Sequence, residues 1–203
     1  REALAILAQV NTGNYALPKL QLPKLNESGI VIRQVKPIQH PALLAYLKSR
    51  KISPVVAQGV CKEVHYTIKE KYVFSIGLKN NSGGWELRNK YFKASSSPKD
   101  LRCITNGSQK LIVIEGIFDL LSLVTLFPNL KGEADFLILN SIAFAEKALP
   151  YFDTCTTVEL YLDQDKVGRK TTSFFLNTTA TCIDKSCFYK AEKDLNAWLM
   201  KTF

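Results

Sequence analysis

The sequence is poor in the residues that form metal-bound or disulfide-linked scaffolds. It contains only two histidines, and none of its five cysteines forms a CxxC pair. We therefore expect neither a structural zinc site nor a disulfide framework in this stretch.

Long apolar runs are also missing, and so are a signal peptide, internal repeats and low-complexity tracts. A soluble cytoplasmic protein without membrane contacts is the expectation. The first residue is Arg1 rather than Met, which predicts that the sequence is part of a longer protein. Its 203 residues allow one large domain or two small ones with a real core.

Acidic residues are few relative to basic ones. The chain has 27 Lys and Arg against 18 Asp and Glu, which gives a formal net charge of +9. This excess favours a polyanionic partner but does not identify it.

A strand, a turn and a helix are predicted between residues 111 and 126. Leu111 to Ile114 form a short apolar run typical of a buried parallel strand, and Glu115 follows it directly. The apolar residues then recur at helical spacing until Pro128. The sequence thus places a carboxylate at the carboxyl end of a strand, where ligands of open α/β sheets bind.

Strands and helices alternate through the rest of the chain. Apolar runs at 136–139 and 158–162 predict two further strands, 142–151 a helix, and 181–183 a short strand. Alternation of this kind predicts a parallel sheet with right-handed crossovers.

The predicted fold class is α/β, with a parallel sheet flanked by helices and preceded by a smaller strand-rich α+β subdomain. We divide the chain into an N-terminal helix and linker at 1–36, a basic α+β subdomain at 37–106 and a catalytic domain at 107–203.

Three acids follow the predicted strands of this sheet. Glu115, Asp163 and Asp165 would meet at one edge, where their charges repel unless a cation neutralises them. Oxygen ligands of this kind suit Mg²⁺. The alternative is structural, because Asp165 could cap the helix that begins at Lys166.

Basic and aromatic residues alternate in the segment 88–100. Arg88, Lys90 and Lys93 surround Tyr91 and Phe92. Lysine and arginine neutralise phosphates and aromatic rings stack on bases, so the segment is a candidate nucleic-acid surface. An ordinary solvated sheet edge explains the same composition equally well.

The motifs EGIFD at 115–119 and DQDKVGRK at 163–170 resemble the two signatures of the Toprim domain of primases, topoisomerases and some nucleases. Their flanks are similar to the DnaG-type primase versions, and 74–100 resembles the basic subdomain that precedes Toprim there. The resemblance covers about residues 40–203 and is closest to primase-like proteins of Bacteroides-type mobile genetic elements. Those proteins usually carry a zinc-binding module ahead of this region.

This resemblance implies roles for individual residues. It implies an acid/base role for Glu115 and a metal-binding pair at Asp163 and Asp165, which together form the implied catalytic set. Asp194 matches the downstream acidic element, although Leu195-Asn196 replaces its usual Pro-Asp, and Asp119 matches a structural position. The implied metal ligands are Glu115, Asp163, Asp165 and Asp194. The implied nucleotide or nucleic-acid contacts are Arg88, Lys90, Lys93, Arg169 and Lys170.

The function implied by the resemblance is that of a DNA primase, a nucleotidyltransferase acting in DNA replication. It would join ribonucleoside triphosphates into short RNA primers on single-stranded DNA with Mg²⁺ or Mn²⁺, alongside a helicase, with zinc only in the missing module. Two alternatives stay open: a Toprim nuclease or topoisomerase-like enzyme, and a non-catalytic nucleic-acid-binding module.

Overall fold

The computed structural model describes residues 29–202. It contains two five-stranded sheets, one antiparallel and one mostly parallel. This confirms the predicted fold class. The predicted N-terminal helix and linker fall mainly in residues 1–28, outside the described residues. Among the described helices, none is long and apolar enough to cross a membrane.

The first sheet is an antiparallel meander in the strand order β1-β2-β3-β4-β5. Its strands are β1 (Ile30–Lys36), β2 (Lys62–Ile68), β3 (Lys71–Lys79), β4 (Trp85–Arg88) and β5 (Lys93–Ser95). Sequence patterning predicts no strand at β1, because Val31 and Val35 are exposed and the strand alternates only partly. The strand forms by pairing with β2 along its whole length.

Two short helices connect β1 to β2. They are α1 (Pro41–Ser49) and α2 (Pro54–Val60), and each has proline in its first turn, where the missing N–H costs no hydrogen bond. Leu43 and Leu47 of α1 are buried in the cluster that contains residues of the second sheet, so this face of α1 packs towards that sheet.

The second sheet has the strand order β10-β9-β7-β8-β6. Its strands are β6 (Arg102–Ile104), β7 (Lys110–Ile114), β8 (Asp135–Ile138), β9 (Thr157–Tyr161) and β10 (Cys182–Asp184). Strands β10, β9, β7 and β8 are parallel, and the short β6 adds an antiparallel edge. Edge strand β6 was not predicted, since only three residues form it.

Helices cover both faces of this sheet. They are α3 (Ile117–Leu126), α4 (Leu130–Glu133), α5 (Ala145–Ala148), α6 (Lys166–Thr178) and α7 (Leu195–Thr202). One face packs on α3 and α7, and the other on α5 and α6. The predicted helical segment at 142–151 is confirmed, and α5 forms one α-helical turn of it between the 3₁₀ segments Ile142–Phe144 and Leu149–Tyr151.

One buried hydrophobic cluster contains residues from both sheets. Leu47 of α1 and Ile76 of β3 belong to the same buried cluster as Ile114 of β7 and Leu120 of α3. This shared core packs the first sheet against the second sheet. The division of the chain into domains near residue 107 stays a prediction.

Candidate catalytic cleft

A polar cleft lies where the carboxyl ends of β7 and β9 face the first sheet. It has a volume of about 220 Å³ and is lined by four carboxyl and four basic side chains together with Tyr46, Gly116 and Phe118. The carboxyl side chains are Glu115, Asp119, Asp163 and Asp194, and the basic ones are Arg50, Arg88, Lys93 and Lys193. Acids from the second half of the chain thus meet cations that include Arg88 and Lys93 of the first sheet.

Glu115 follows β7 directly and is only partly exposed. Burial raises the pKa of this carboxyl, and the charge of Asp165 adds to the shift. The backbone N–H of Asp163 donates a hydrogen bond to Glu115 and opposes it. The buried atom Glu115 Oε2 has no hydrogen-bond partner among the described residues, so one face of this carboxylate is left for a ligand.

Asp163 lies two residues beyond β9 and titrates far from its ordinary range. Burial, followed by the charges of Glu115 and Asp194, raises the pKa of Asp163 to about 7. Gly168 lets the next helix approach this position, because a Cβ there would stand 2.1 Å from the carbonyl oxygen of Asp163. The glycine of the DQDKVGRK motif therefore holds α6 against the strand end that carries the acid.

Two of the predicted metal ligands cap helices. Asp165 Oδ1 accepts hydrogen bonds from the N–H groups of Val167 and Gly168, at 3.0 and 2.9 Å, and these bonds lower its pKa. Asp194 Oδ1 accepts from the N–H of Ala197 at 2.7 Å at the start of α7. Asp165 is exposed and stands outside the lining of the cleft, although its charge acts on Glu115 and Asp163.

Asn196 has a role that sequence reasoning missed. Its backbone N–H donates to the carboxyl of Asp119, and its Nδ2 donates to Ser122 Oγ at 2.8 Å and to the Arg50 carbonyl at 3.1 Å. This buried side chain ties α7 to α3 and to the end of α1. It stands where the resemblance leads one to expect an acid, which is the signal that singles it out.

Asp119 is the fourth carboxyl of the cleft. Burial and the charges of Asp163 and Asp194 raise its pKa well above the ordinary value. Because the group favours its protonated form and is bonded by Asn196, its surroundings suit the structural role that the resemblance implies.

The predicted basic contacts divide into two sets. Arg88 and Lys93 are paired on β4 and β5 and both line the cleft, with the guanidinium of Arg88 beside Gly116. Lys90 is exposed in the turn between these strands and lies outside the lining. Arg169 and Lys170 are exposed on α6, where Arg169 acts electrostatically on Asp165 and Lys170 lies beside α5.

The donors of the cleft are compatible with a hard divalent cation. Glu115 has a buried carboxylate oxygen without a hydrogen-bond partner. Burial and neighbouring carboxylates raise the pKa of Asp163. A bound cation would neutralise the negative charge of both groups. Within residues 29–202, no group of three His, Cys, Asp or Glu side chains is already arranged around a metal position. Mg²⁺ commonly binds through one or two carboxylates and keeps several waters, so Glu115 and Asp163 fit it.

Family models match both halves of the described chain. Residues 112–199 match the model described as Toprim-like, and residues 32–97 match a domain of unknown function (DUF8464). A search of curated proteins found no match.

Solved structures support the same fold. The primase fragment of the bacteriophage T7 primase-helicase protein is 21% identical with a TM-score of 0.53; the match covers 74% of this chain and 66% of the fragment. The chain therefore spans slightly less than two thirds of that fragment.

A second match is to a chain of the structure of bacteriophage T7 lagging-strand DNA polymerase interacting with primase domains of two gp4 subunits bound to an RNA/DNA hybrid and dTTP. It is 20% identical with a TM-score of 0.51 and covers 68% of this chain and 76% of that one. Neither match concerns mobile-element proteins of Bacteroides type, so that part of the resemblance stays a prediction.

Proposed function

We propose that this chain is the catalytic core of a DNA primase, which joins ribonucleotides on a single-stranded DNA template. The observation that carries the proposal is the cleft itself, in which Glu115 and Asp163 of the Toprim-like domain face Arg88 and Lys93 of the first sheet. Carboxylates that hold a metal and cations that hold phosphates are the two parts that nucleotidyl transfer requires.

Each side chain has a defined task in this reaction. Glu115 and Asp163 would hold Mg²⁺, with Asp194 and the free Oδ2 of Asp165 supplying further oxygens, since both capping bonds use Oδ1. When bound, the metal lowers the pKa of the attacking hydroxyl and neutralises phosphate charge. Arg88 and Lys93 stabilise the negative charge of the triphosphate.

Glu115 is also placed to accept a proton. Burial raises the pKa of Glu115 above its ordinary value, and a carboxylate with a raised pKa is a stronger proton acceptor. The proton would come from the 3′-hydroxyl that attacks the incoming nucleotide.

The template is assigned to the basic turn and the outer helix. Lys90, Arg169 and Lys170 are exposed cations outside the lining of the cleft and would contact phosphates without reading bases. A helicase partner and the lagging-strand polymerase contact of the T7 proteins are carried over to this chain only as part of the proposal.

The experiment combines the protein with Mg²⁺, labelled ribonucleoside triphosphates and single-stranded DNA. We expect template-dependent RNA products, and we expect Glu115→Gln to reduce them roughly 100-fold or more while template binding is retained. Glu146→Gln is the matched control, because Glu146 is exposed on α5 outside the cleft.

Other outcomes would assign a different function. Cutting of the template without synthesis would identify a Toprim nuclease. Binding with neither reaction, unchanged by Glu115→Gln, would identify a non-catalytic nucleic-acid-binding module.

A further inference from the structure

A second polar cluster lies on the first sheet, away from the cleft. Tyr72 Oη is 3.0 Å from His65 Nδ1, and His65 Nε2 is 2.6 Å from Glu63 Oε1. Tyr72 lies four residues from Ile76, which pairs with Arg88, so about 13 Å of strand separates Tyr72 from the level of Arg88. Glu63, at the other end of the cluster, pairs with Ile76 and does not line the cleft.

The three side chains meet because of the register between β2 and β3. Residues 63, 65 and 67 share one face of β2, and Tyr72 lies directly opposite Thr67 on the same face of β3. His65 lies two residues before Thr67 on the same face of β2. It is therefore a diagonal neighbour of Tyr72, within reach of a long side chain.

Glu63 determines which nitrogen of His65 carries the proton. The carboxyl is fully buried and its Oε2 accepts from the N–H groups of Gln39 and His40, at 3.0 and 2.8 Å. Burial alone would raise its pKa, but these hydrogen bonds and those from His65 and Lys36 lower it to about 2. An ionised carboxylate only accepts, so Nε2 of the imidazole must donate to it.

The free nitrogen of neutral His65 then faces the phenol. With the proton on Nε2, Nδ1 can only accept, and the hydroxyl of Tyr72 donates to it. Tyr72 is 62% exposed although its hydroxyl is bound inside the sheet face. A hydroxyl on an exposed side chain, a base bonded to it and a carboxylate that orients the base are the parts of an activated nucleophile.

A cation for an anionic substrate lies on β1, one strand beyond the residue that pairs with Tyr72. Arg33 is exposed, and its Nε donates to Thr67 Oγ1 at 3.2 Å, which holds the guanidinium over the residue opposite Tyr72. Its two terminal nitrogens have no partner within residues 29–202, and a guanidinium fork suits phosphate oxygens.

We propose that Tyr72 is a second reactive site, whose phenolic oxygen attacks a phosphate ester with His65 as general base, Glu63 as positioning residue and Arg33 as phosphate contact. A bond forms between Tyr72 Oη and phosphorus, and the bond from phosphorus to the leaving oxygen breaks with its electron pair. The phenolic proton passes to His65 Nδ1, and a leaving sugar oxygen takes up a proton from water to become a hydroxyl. The product is a tyrosine phosphodiester, with pyrophosphate released from a nucleoside triphosphate or a sugar hydroxyl released from a nucleic-acid strand.

The test has two arms that separate these sources. The protein is incubated with Mg²⁺ and either α-³²P-labelled ribonucleoside triphosphates or a uniformly labelled single strand, denatured, and mapped by peptide mass spectrometry. We expect acid-stable label on Tyr72 in one arm. Absence of label in both arms, or acid-labile label on His65, overturns the proposal.

Two tyrosine variants make the assignment specific. Tyr72→Phe removes only the hydroxyl of an exposed side chain, so it should fold normally and lose the label, whereas Tyr151→Phe, at a tyrosine outside both the cluster and the candidate nucleic-acid surface, should keep it. Loss of label in both variants, or in neither, contradicts the proposal. Glu115→Gln should keep the label, because none of the three cluster residues lines the cleft. Loss of the label in Glu115→Gln would place the chemistry in the cleft.

The role of His65 is tested by rate and by spectroscopy. His65→Gln should slow labelling by about 100-fold or more. Because the chain has only two histidines, ¹⁵N NMR of the imidazoles can assign the tautomer of His65. If the parent protein carries the proton on Nε2 and Glu63→Gln no longer favours that tautomer, the positioning role of Glu63 is supported. A proton on Nδ1 in the parent protein overturns that role.

Discussion

At the scale of the residue, Asp163 links the chemistry of the cleft to the stability of the protein. Its pKa of about 7 lies above the ordinary value of 3.8, so the folded protein holds a proton there that the unfolded chain releases. The free energy of unfolding must therefore fall as pH rises from about 4 through 7.

Asp163→Asn should remove this pH-dependent loss. We expect the variant to be more stable than the parent by about 1 to 2 kcal/mol at pH 8, a figure reduced because the group is partly exposed, and equally stable below pH 4. Urea denaturation of metal-free protein measures this difference, and Asp153→Asn on an exposed loop is the control. A constant difference across pH would show that Asp163 is not shifted.

Metal binding should reverse the order of stabilities. A ligand that binds only the folded state stabilises it by mass action, so millimolar Mg²⁺ should raise the melting temperature of the parent and not of Asp163→Asn. This readout is independent of catalysis. An equal response of both proteins would remove Asp163 from the ligand set.

At the scale of the element, the start of α6 serves both folding and the proposed site. Asp165 caps the helix through one oxygen, and serine can replace that oxygen but not the second one. We expect Asp165→Ser to keep the free energy of unfolding within about 0.5 kcal/mol, and Asp165→Ala to lower it by about 1 kcal/mol.

Activity separates the two roles of Asp165. If Oδ2 holds the metal, Asp165→Ser should lose primer synthesis as strongly as Asp165→Ala, and excess Mn²⁺ should restore part of it. Full activity in the serine variant would leave Asp165 with its capping role alone.

The turn between β4 and β5 separates nucleotide contacts from template contacts. Lys93 lines the cleft beside Arg88, so Lys93→Ala should reduce kcat/KM for nucleotides by about tenfold or more, the cost of a charged hydrogen bond. Lys90 is exposed, so Lys90→Ala should reduce the salt slope of DNA binding by about one and leave nucleotide use unchanged. Identical effects of both variants in both assays would contradict this division.

The elements that sequence could predict are those with a clear apolar period. Strand β7, helix α3 and the order of strands and helices beyond residue 107 follow from such periods. Strand β1 and strand β6 have too little patterning and depend on pairing with their neighbours. The helical segment predicted at 142–151 is confirmed, but its division into one α-helical turn between two 3₁₀ turns has no counterpart in the apolar pattern.

The site was predictable in composition but not in arrangement. Strand-end acids at Glu115 and Asp163 follow from parallel topology, whereas the entry of Arg50 and Tyr46 from α1 depends on packing between the two sheets. The contacts of Asn196 likewise depend on three helices meeting in space, which no local pattern encodes.

At the scale of the whole molecule, one core crosses both sheets and makes the cleft a property of the complete fold. Because Leu47 and Ile76 pack in one cluster with Ile114 and Leu120, neither half can open without exposing the same buried surface. Arg88 and Glu115 therefore keep their relation only while the two halves stay packed, and this predicts a single cooperative unfolding transition.

The two tryptophans can test this cooperativity directly. Trp85 lies on β4 of the first sheet and Trp198 on α7, which packs on the second sheet, and the chain has no other tryptophan. In single-tryptophan variants, Trp85→Phe and Trp198→Phe, fluorescence then reports one half at a time. We expect the two urea transitions to have the same m-value, with midpoints that differ only as far as each substitution shifts the circular-dichroism midpoint of its own variant.

Leu47→Ala, added to each variant, completes the experiment. The side chain is fully buried, and its truncation should cost about 2 to 5 kcal/mol. Because the core is shared, both tryptophan signals should shift to lower urea by the same amount, including Trp198, although Leu47 lies in the first half of the chain. A shift confined to Trp85 would mean that the halves unfold separately, and the cleft would then be an interface able to open without loss of either fold.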